Sequence, residues 1–197
     1  MPSRAAENLF WMGRYAERAD QAVRLSRAAL PLIGDDARAP SPALDALATL
    51  CEEQGVVPAD VPSPAKSVAV FERTLISALA DRSGSSVAFN LAALVRSAGH
   101  LRDRLSADHW RLVAATADRF AADCASAVAD EVFSADEAVA ALGRLAVQLS
   151  AITGAQIDHM TRDDGWRLMT IGRQLERLGT LARALQLLFE TDAIARE

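Results

Sequence analysis

Apolar residues recur along this chain at intervals of three and four. Leu9, Met12, Ala16, Ala19, Val23 and Leu30 keep that rhythm near one end. Leu168, Ile171, Leu175, Leu178, Ala182, Leu185 and Phe189 keep it near the other. That spacing follows the turn of an α-helix, so both stretches predict long amphipathic helices, each with a buried seam. No stretch alternates with period two over a useful length, so no sheet is expected.

Capping and breaking residues divide the rest of the chain. The first helix is expected over about 4–30, with Ser3 as N-cap and Pro31 as its stop. A polar linker follows at 34–40. Ser41-Pro42 starts a short helix over about 43–54. Pro58, Pro62 and Pro64 mark 55–65 as a loop, and Ser63-Pro64 repeats the cap-plus-proline pattern ahead of a helix over about 65–81. After the turn at 83–86, helices are expected over about 86–105 and, capped by Ser106, 107–131. A capping box, Ser134-Ala135-Asp136-Glu137, opens the next at 135, and Gly154 ends it near 153. Thr161 caps the last, over about 162–192.

The expected fold is thus all-α: a single helical bundle of about seven helices over 1–197, the long first and last packed together, with no sheet. The segment 34–65 is read as a proline-rich crossover carrying a short helix, not as a join between domains. A chain of 197 residues fits one core.

Composition narrows the chemistry. Apolar residues make up 51% and aromatics only 5%, so the core is built of Ala, Leu and Val. A net charge of −5 argues against a nucleic-acid surface. Lys66 is the only lysine among the 21 basic residues. The bias is read first as the mark of a GC-rich genome, and at a few positions only as a choice of arginine for its bidentate grip on carboxylate or phosphate. Cys51 and Cys124 have no metal-type spacing and are expected as buried free thiols in a reducing cytoplasm. Arg14, Glu17 and Arg18 interrupt the apolar run a signal peptide would need, and no run approaches about 20 apolar residues, so no membrane span is expected. A cytoplasmic protein is the default.

Helical enzyme sites can be tested by spacing. A di-iron site needs Glu-x-x-His, but Ser97, Ser106 and Gln156 precede His100, His109 and His159 by three. His-Glu-x-x-His, a glycine-rich phosphate loop and G-x-S-x-G are all missing from the sequence. No metal, no cofactor and no self-contained catalytic constellation is expected. An enzyme is the less favoured reading. His109 and His159 read as structural histidines, Trp110 as a core anchor, and Arg96 as the arginine of Arg96, Arg102 and Arg104 best placed to face inward.

One signature occurs twice: Gly13-Arg14-x-x-Glu17-Arg18 and Gly172-Arg173-x-x-Glu176-Arg177. In each, arginine, glutamate and arginine share one helix face, roughly opposite the apolar seam. Each glycine is mid-helix at a cost of about 1 kcal/mol relative to alanine, which suggests close approach of another backbone or a ligand. Three readings follow. The clusters are solvated ion pairs, or arginine forks facing a shared cleft and holding a carboxylate or phosphate, or a buried Arg–Glu network joining the two helices. Arg162, Asp163, Asp164 and Trp166 form a second candidate group. Its two acids either complement a helix N-terminus or aim at arginines of the first helix or at a ligand ammonium.

These residues carry a resemblance. The run from Ser3 through Glu7-Asn8-Leu9-Phe10-Trp11-Met12-Gly13-Arg14-Tyr15 to Glu17-Arg18-Ala19 resembles the alpha-E family of bacterial all-helical domains. So does Met160-x-Arg162-Asp163-Asp164-Gly165-Trp166-Arg167, continuing to Gly172-Arg173-x-Leu175-Glu176-Arg177. Between them, Arg96-Ser97-Ala98-Gly99-His100 departs from the Arg-Glu-Asn-Ala-Arg-like run usual in that family. The resemblance implies an association with a circularly permuted ATP-grasp ligase, and with a transglutaminase-like protein, in a system that forms or modifies amide bonds. It implies a non-catalytic accessory module that binds ligase, peptide or both through Arg14, Glu17, Arg18, Arg162, Asp163, Asp164, Trp166, Arg173, Glu176 and Arg177. A small-carboxylate enzyme using a cleft between the first and last helices is the alternative, and a purely structural interaction domain the third. Exposed seam residues on the shorter helices would permit a homodimer.

Overall fold

A computed structural model describes residues 3–35, 42–129 and 134–190. Seven α-helices and no strand occur among them: α1 (Ser3–Asp35), α2 (Pro42–Glu53), α3 (Val68–Ala78), α4 (Val87–Gly99), α5 (Ala107–Ala129), α6 (Ala135–His159) and α7 (Asp164–Glu190). The all-helical fold, the helix number and the packing of first against last are as the apolar rhythm predicted. The expected linker and cap at 36–41, the last residues of the expected fifth helix and residues 191–192 lie outside the described residues.

α1 is the central post, touching α7, α4, α6 and α2. Its predicted seam is buried: Leu9, Met12, Ala16, Ala19, Val23 and Leu30 are all inside. α4, α5 and α6 complete the core with residues such as Leu91, Leu94, Phe120, Leu142, Leu145 and Ile152. The capping box of Ser134 and Glu137 forms as expected, and Ser106 Oγ accepts the His109 N–H.

Several boundaries differ for physical reasons. Pro31 lies within α1. It is exposed, as is Arg27, whose carbonyl loses its partner to the proline ring. Buried Leu30 and Ile33 hold the turn around it. Gly154 does not end α6, because one glycine costs little when Ile152 and Gln156 are buried on either side of it. Ser63-Pro64 makes a turn, the Lys66 and Ser67 N–H groups donating to the Ser63 carbonyl, and α3 starts later with Ser67 as N-cap. α4 ends at Gly99, and turns then lead to α5. Asp163, not Thr161, caps α7, its Oδ1 accepting the Trp166 N–H at 3.1 Å.

Among the described residues α6 passes the length and composition test of a membrane span: an 18-residue window within Ala135–Asp158 has a mean hydropathy of 1.4. It is still no unbroken apolar run of about 20 residues, since Asp136, Glu137, Arg144 and Gln148 interrupt it. Ala138, Ala141, Leu142, Leu145, Leu149 and Ile152 of that helix are nonetheless core residues.

The largest departure is α7. Its predicted seam is the exposed side: Ile171, Leu175, Leu178, Leu185 and Phe189 are 50% to 71% exposed. The buried side carries Gly165, Met169, Gly172, Arg173 and Leu187. α7 lies at the edge of the bundle and turns its polar face inward onto α1. Exposed apolar positions thus run along α7, not only along the shorter helices where they were expected.

Candidate functional site

α1 and α7 cross at their glycines. A Cβ on Gly13 would collide with the Met169 carbonyl oxygen, and one on Gly172 with the Phe10 carbonyl oxygen. The backbones can meet only because both positions lack a side chain. This close approach sets the geometry of everything around it.

Beyond the crossing, the two signatures pair reciprocally. Glu17 of α1 takes the arginines of α7: Arg177 donates from Nε at 2.7 Å and from Nη2 at 2.9 Å, and Arg173 Nε lies 3.9 Å away. Glu176 of α7 takes the arginines of α1: Arg14 and Arg18 both donate from Nε to Oε1, Arg18 at 2.8 Å. Residues 159 apart in sequence therefore exchange roles across a local two-fold relation. The face expected to lie away from the core is, in α1, partly buried against α7.

Burial grades the network. Glu17 and Arg173 are 4% and 8% exposed. Arg14, Arg18 and Arg177 reach its solvent edge. Burial pushes the Arg173 guanidinium below its ordinary range, against the pull of Glu17, whereas the Glu17 carboxylate raises Arg177. Four guanidiniums share Glu17 and Glu176, and Asp20, which also acts on Arg173 and Arg177, is itself paired with Arg24, so the network carries surplus positive charge. Arg14 and Arg18 each give Glu176 one hydrogen bond and make no other among the described residues, although a guanidinium has five N–H donors.

The polar seam continues along both helices. Gln21 donates to Glu17 and accepts from Thr180 at 2.7 Å, and Arg183 forks onto Glu53 of α2 at 2.5 and 2.7 Å. Arg18, Gln21, Glu53 and Glu176 line a polar cavity of about 180 Å³. On the other side, the Arg14 guanidinium lies over the Trp11 ring at 4.8 Å, and Trp11 stacks on Tyr15 at 5.5 Å. These two rings join Arg4, Glu7, Asn8, Ser97 and His100 around a cleft of about 410 Å³. The divergent central run is thus brought beside the first signature.

The other candidate group stands apart from the network. Asp163 caps α7 and bonds Arg104 at 2.5 Å. The Trp166 N–H first, and then Arg104, hold its carboxyl below the usual range. Asp164 pairs with exposed Arg167 at 3.0 Å. Arg162 lies over the Trp166 ring at 5.7 Å. Neither acid reaches an α1 arginine. Arg96 is exposed, not inward, and lies at the rim of an apolar cavity of about 680 Å³ between α4 and α5. The inward polar residues of α4 are Asn90 and Ser97. The side chain of His159 is outside the described residues. Arg104, Gln21 and Thr180 were not anticipated. The partners of Arg104 and Thr180 lie far off in sequence, and the i,i+4 spacing of Gln21 to Glu17 is ordinary on any helix, so spacing does not mark them.

Among the described residues no group of three His, Cys, Asp or Glu is arranged to hold a metal. The whole chain, residues 1–197, matches the family model Alpha-E, a predicted alpha-helical domain with a conserved ER motif. It is also 30% identical over 203 residues to uncharacterized proteins of Mycobacterium bovis and of two strains of Mycobacterium tuberculosis. The alignment covers 95% of this chain but 22% of each relative, so the chain spans about a fifth of their length. No solved structure matches.

Proposed function

The chain belongs to the Alpha-E family, and from that premise we propose that it is a non-catalytic binding module of an ATP-grasp-dependent amide-forming or peptide-modifying system. Its recognition element is the solvent edge of the crossed network. The observation that carries this reading is the charge imbalance: two carboxylates cannot neutralise four guanidiniums. Unspent N–H donors of Arg14 and Arg18, beside a half-exposed Arg177, suit a carboxylate or phosphate of the ligase or its peptide.

The buried half of the network has a different task in this reading. Glu17 and Arg173 fix the register of α1 on α7, so that the outer guanidiniums stand preorganised. Relatives in which the corresponding segment makes up about a fifth of a longer chain support a module working beside other parts. The ligase chemistry, an ATP-driven acyl-phosphate step, would belong to the partner, a circularly permuted ATP-grasp protein. A transglutaminase-like protein is a second candidate partner. Use of ATP puts the module in the cytoplasm.

The test is ATP-dependent amide formation by the companion ligase, with and without this chain. The chain should raise the rate, and Arg18→Ala with Arg177→Ala should remove at least tenfold of the gain while helix content is kept. Equal rates with and without the chain would eliminate the proposal.

A further inference from the structure

The exposed stripe on α7 is the exact sequence counterpart of the face α1 buries. Shifting Leu9, Met12, Ala16, Ala19, Val23 and Leu30 by 159 gives Leu168, Ile171, Leu175, Leu178, Ala182 and Phe189. On α1 that face is covered by α4 and α6. On α7 its large residues stand in solvent, Leu178 at 67% and Phe189 at 71%. A continuous apolar run of this kind on a helix marks a contact surface.

We propose that this stripe is the contact between two copies of the chain, α7 against α7 across a two-fold axis near Gly179. The strict three-four alternation from Leu168 to Phe189 is a coiled-coil seam, and such a seam is filled by a helix with the same repeat. The matching seam on α1 is inside the core and cannot serve, whereas the α7 of a second copy presents the same repeat in solvent. Of the positions flanking the seam, Gln174, Gly179, Leu181, Gln186 and Leu188 carry no charge, and the charged one, Arg167 at its start, is set by a two-fold axis near Gly179 against the far end of the second helix and not against its own copy. Gly179 sits at the middle of the repeat. Unlike at Gly172, a Cβ there meets nothing within 4 Å among the described residues, and a second helix can come close. The contact would be isologous, as two-fold dimers require. It uses the face of α7 that the crossed network leaves free, and does not rest on the function proposed above.

Sedimentation equilibrium of the full chain across a concentration series tests this. A concentration-dependent species of twice 21.0 kDa is expected. Leu178→Glu should raise the dissociation constant at least 100-fold, and Gly179→Leu, which adds apolar area but blocks close approach, at least 10-fold. Val147→Glu, on the exposed side of α6, should leave it unchanged. Helix content by circular dichroism reports folding for each variant, and Leu175→Ser serves as a milder second variant. A chain that stays monomeric at every concentration overturns the proposal, as does a dimer indifferent to Leu178→Glu. A monomer that loses binding to the companion ligase on Leu178→Glu would assign the stripe to that partner and overturn it equally.

Discussion

The Glu17 carboxylate on α1 accepts two hydrogen bonds from the Arg177 guanidinium on α7, at 2.7 and 2.9 Å. The same relation holds with the helices exchanged, Glu176 accepting from Arg18 and Arg14. Each glutamate is served by the other helix's arginines. Neither signature could complete itself, because i,i+3 and i,i+4 neighbours would supply only the weak pairing of an exposed helix face. The repeat is therefore a device for joining two helices that carry it.

The glycine crossing makes a sharp stability prediction. Gly13→Ala gains about 1 kcal/mol of helix propensity. The added Cβ, however, meets the Met169 carbonyl, which belongs to a helix backbone and cannot rotate away. The clash should win, with a net loss of about 1–3 kcal/mol by urea denaturation. Gly143→Ala on α6 adds a Cβ that meets nothing within 4 Å among the described residues and should raise stability by up to about 1 kcal/mol. Equal effects from the two substitutions would contradict the close approach.

The thiols give a second test. Burial pushes Cys51 up to about 12 and Cys124 to about 11. At about pH 8 almost no thiolate exists at either, and both are shielded. Neither should react with a thiol-specific reagent in the native protein, and both should react in denaturant. Rapid native labelling of Cys51 would show that the bundle opens around α2.

Much of the fold is legible from the residues, and the exceptions are physical. α1 reads correctly because a helix at the centre of a bundle must bury its apolar stripe, and Leu9 to Leu30 are that stripe. The same rhythm on α7 misleads, since periodicity marks a stripe without saying what covers it. Gly172 was the better guide. It lies off the Leu175–Leu178 line and marks the side where backbones meet. The candidate site divides the same way. The twin signatures signal a special contact, but only the fold shows that they cross-pair, because their partners are 158 to 162 residues apart. Asp163 and Asp164 look alike in sequence, yet one caps a helix and the other is a surface ion pair.

Acid should weaken the start of α7. The folded carboxyl of Asp163 is lowered, first by the Trp166 N–H and then by Arg104. An acid with a depressed folded value contributes stability that is present above its unfolded value, about 3.9, and is lost as pH falls through the folded value. Asp163→Asn keeps a competent N-cap but cannot titrate. Its melting temperature should fall less steeply than the wild type's below about pH 4. Parallel curves would remove Asp163 from the acid response.

The most direct measurement is a double-mutant cycle on Glu17 and Arg177. Unfolding free energies would be taken for the wild type, Glu17→Gln, Arg177→Gln and the double variant. Glu17→Gln alone leaves Arg173 buried without its carboxylate and should cost about 3 kcal/mol. The cycle should return a coupling of about 1.5 kcal/mol or more, as for partners within one network. A coupling below about 0.5 kcal/mol, the size of an isolated surface pair, would mean that the crossed signatures do not clamp α1 to α7.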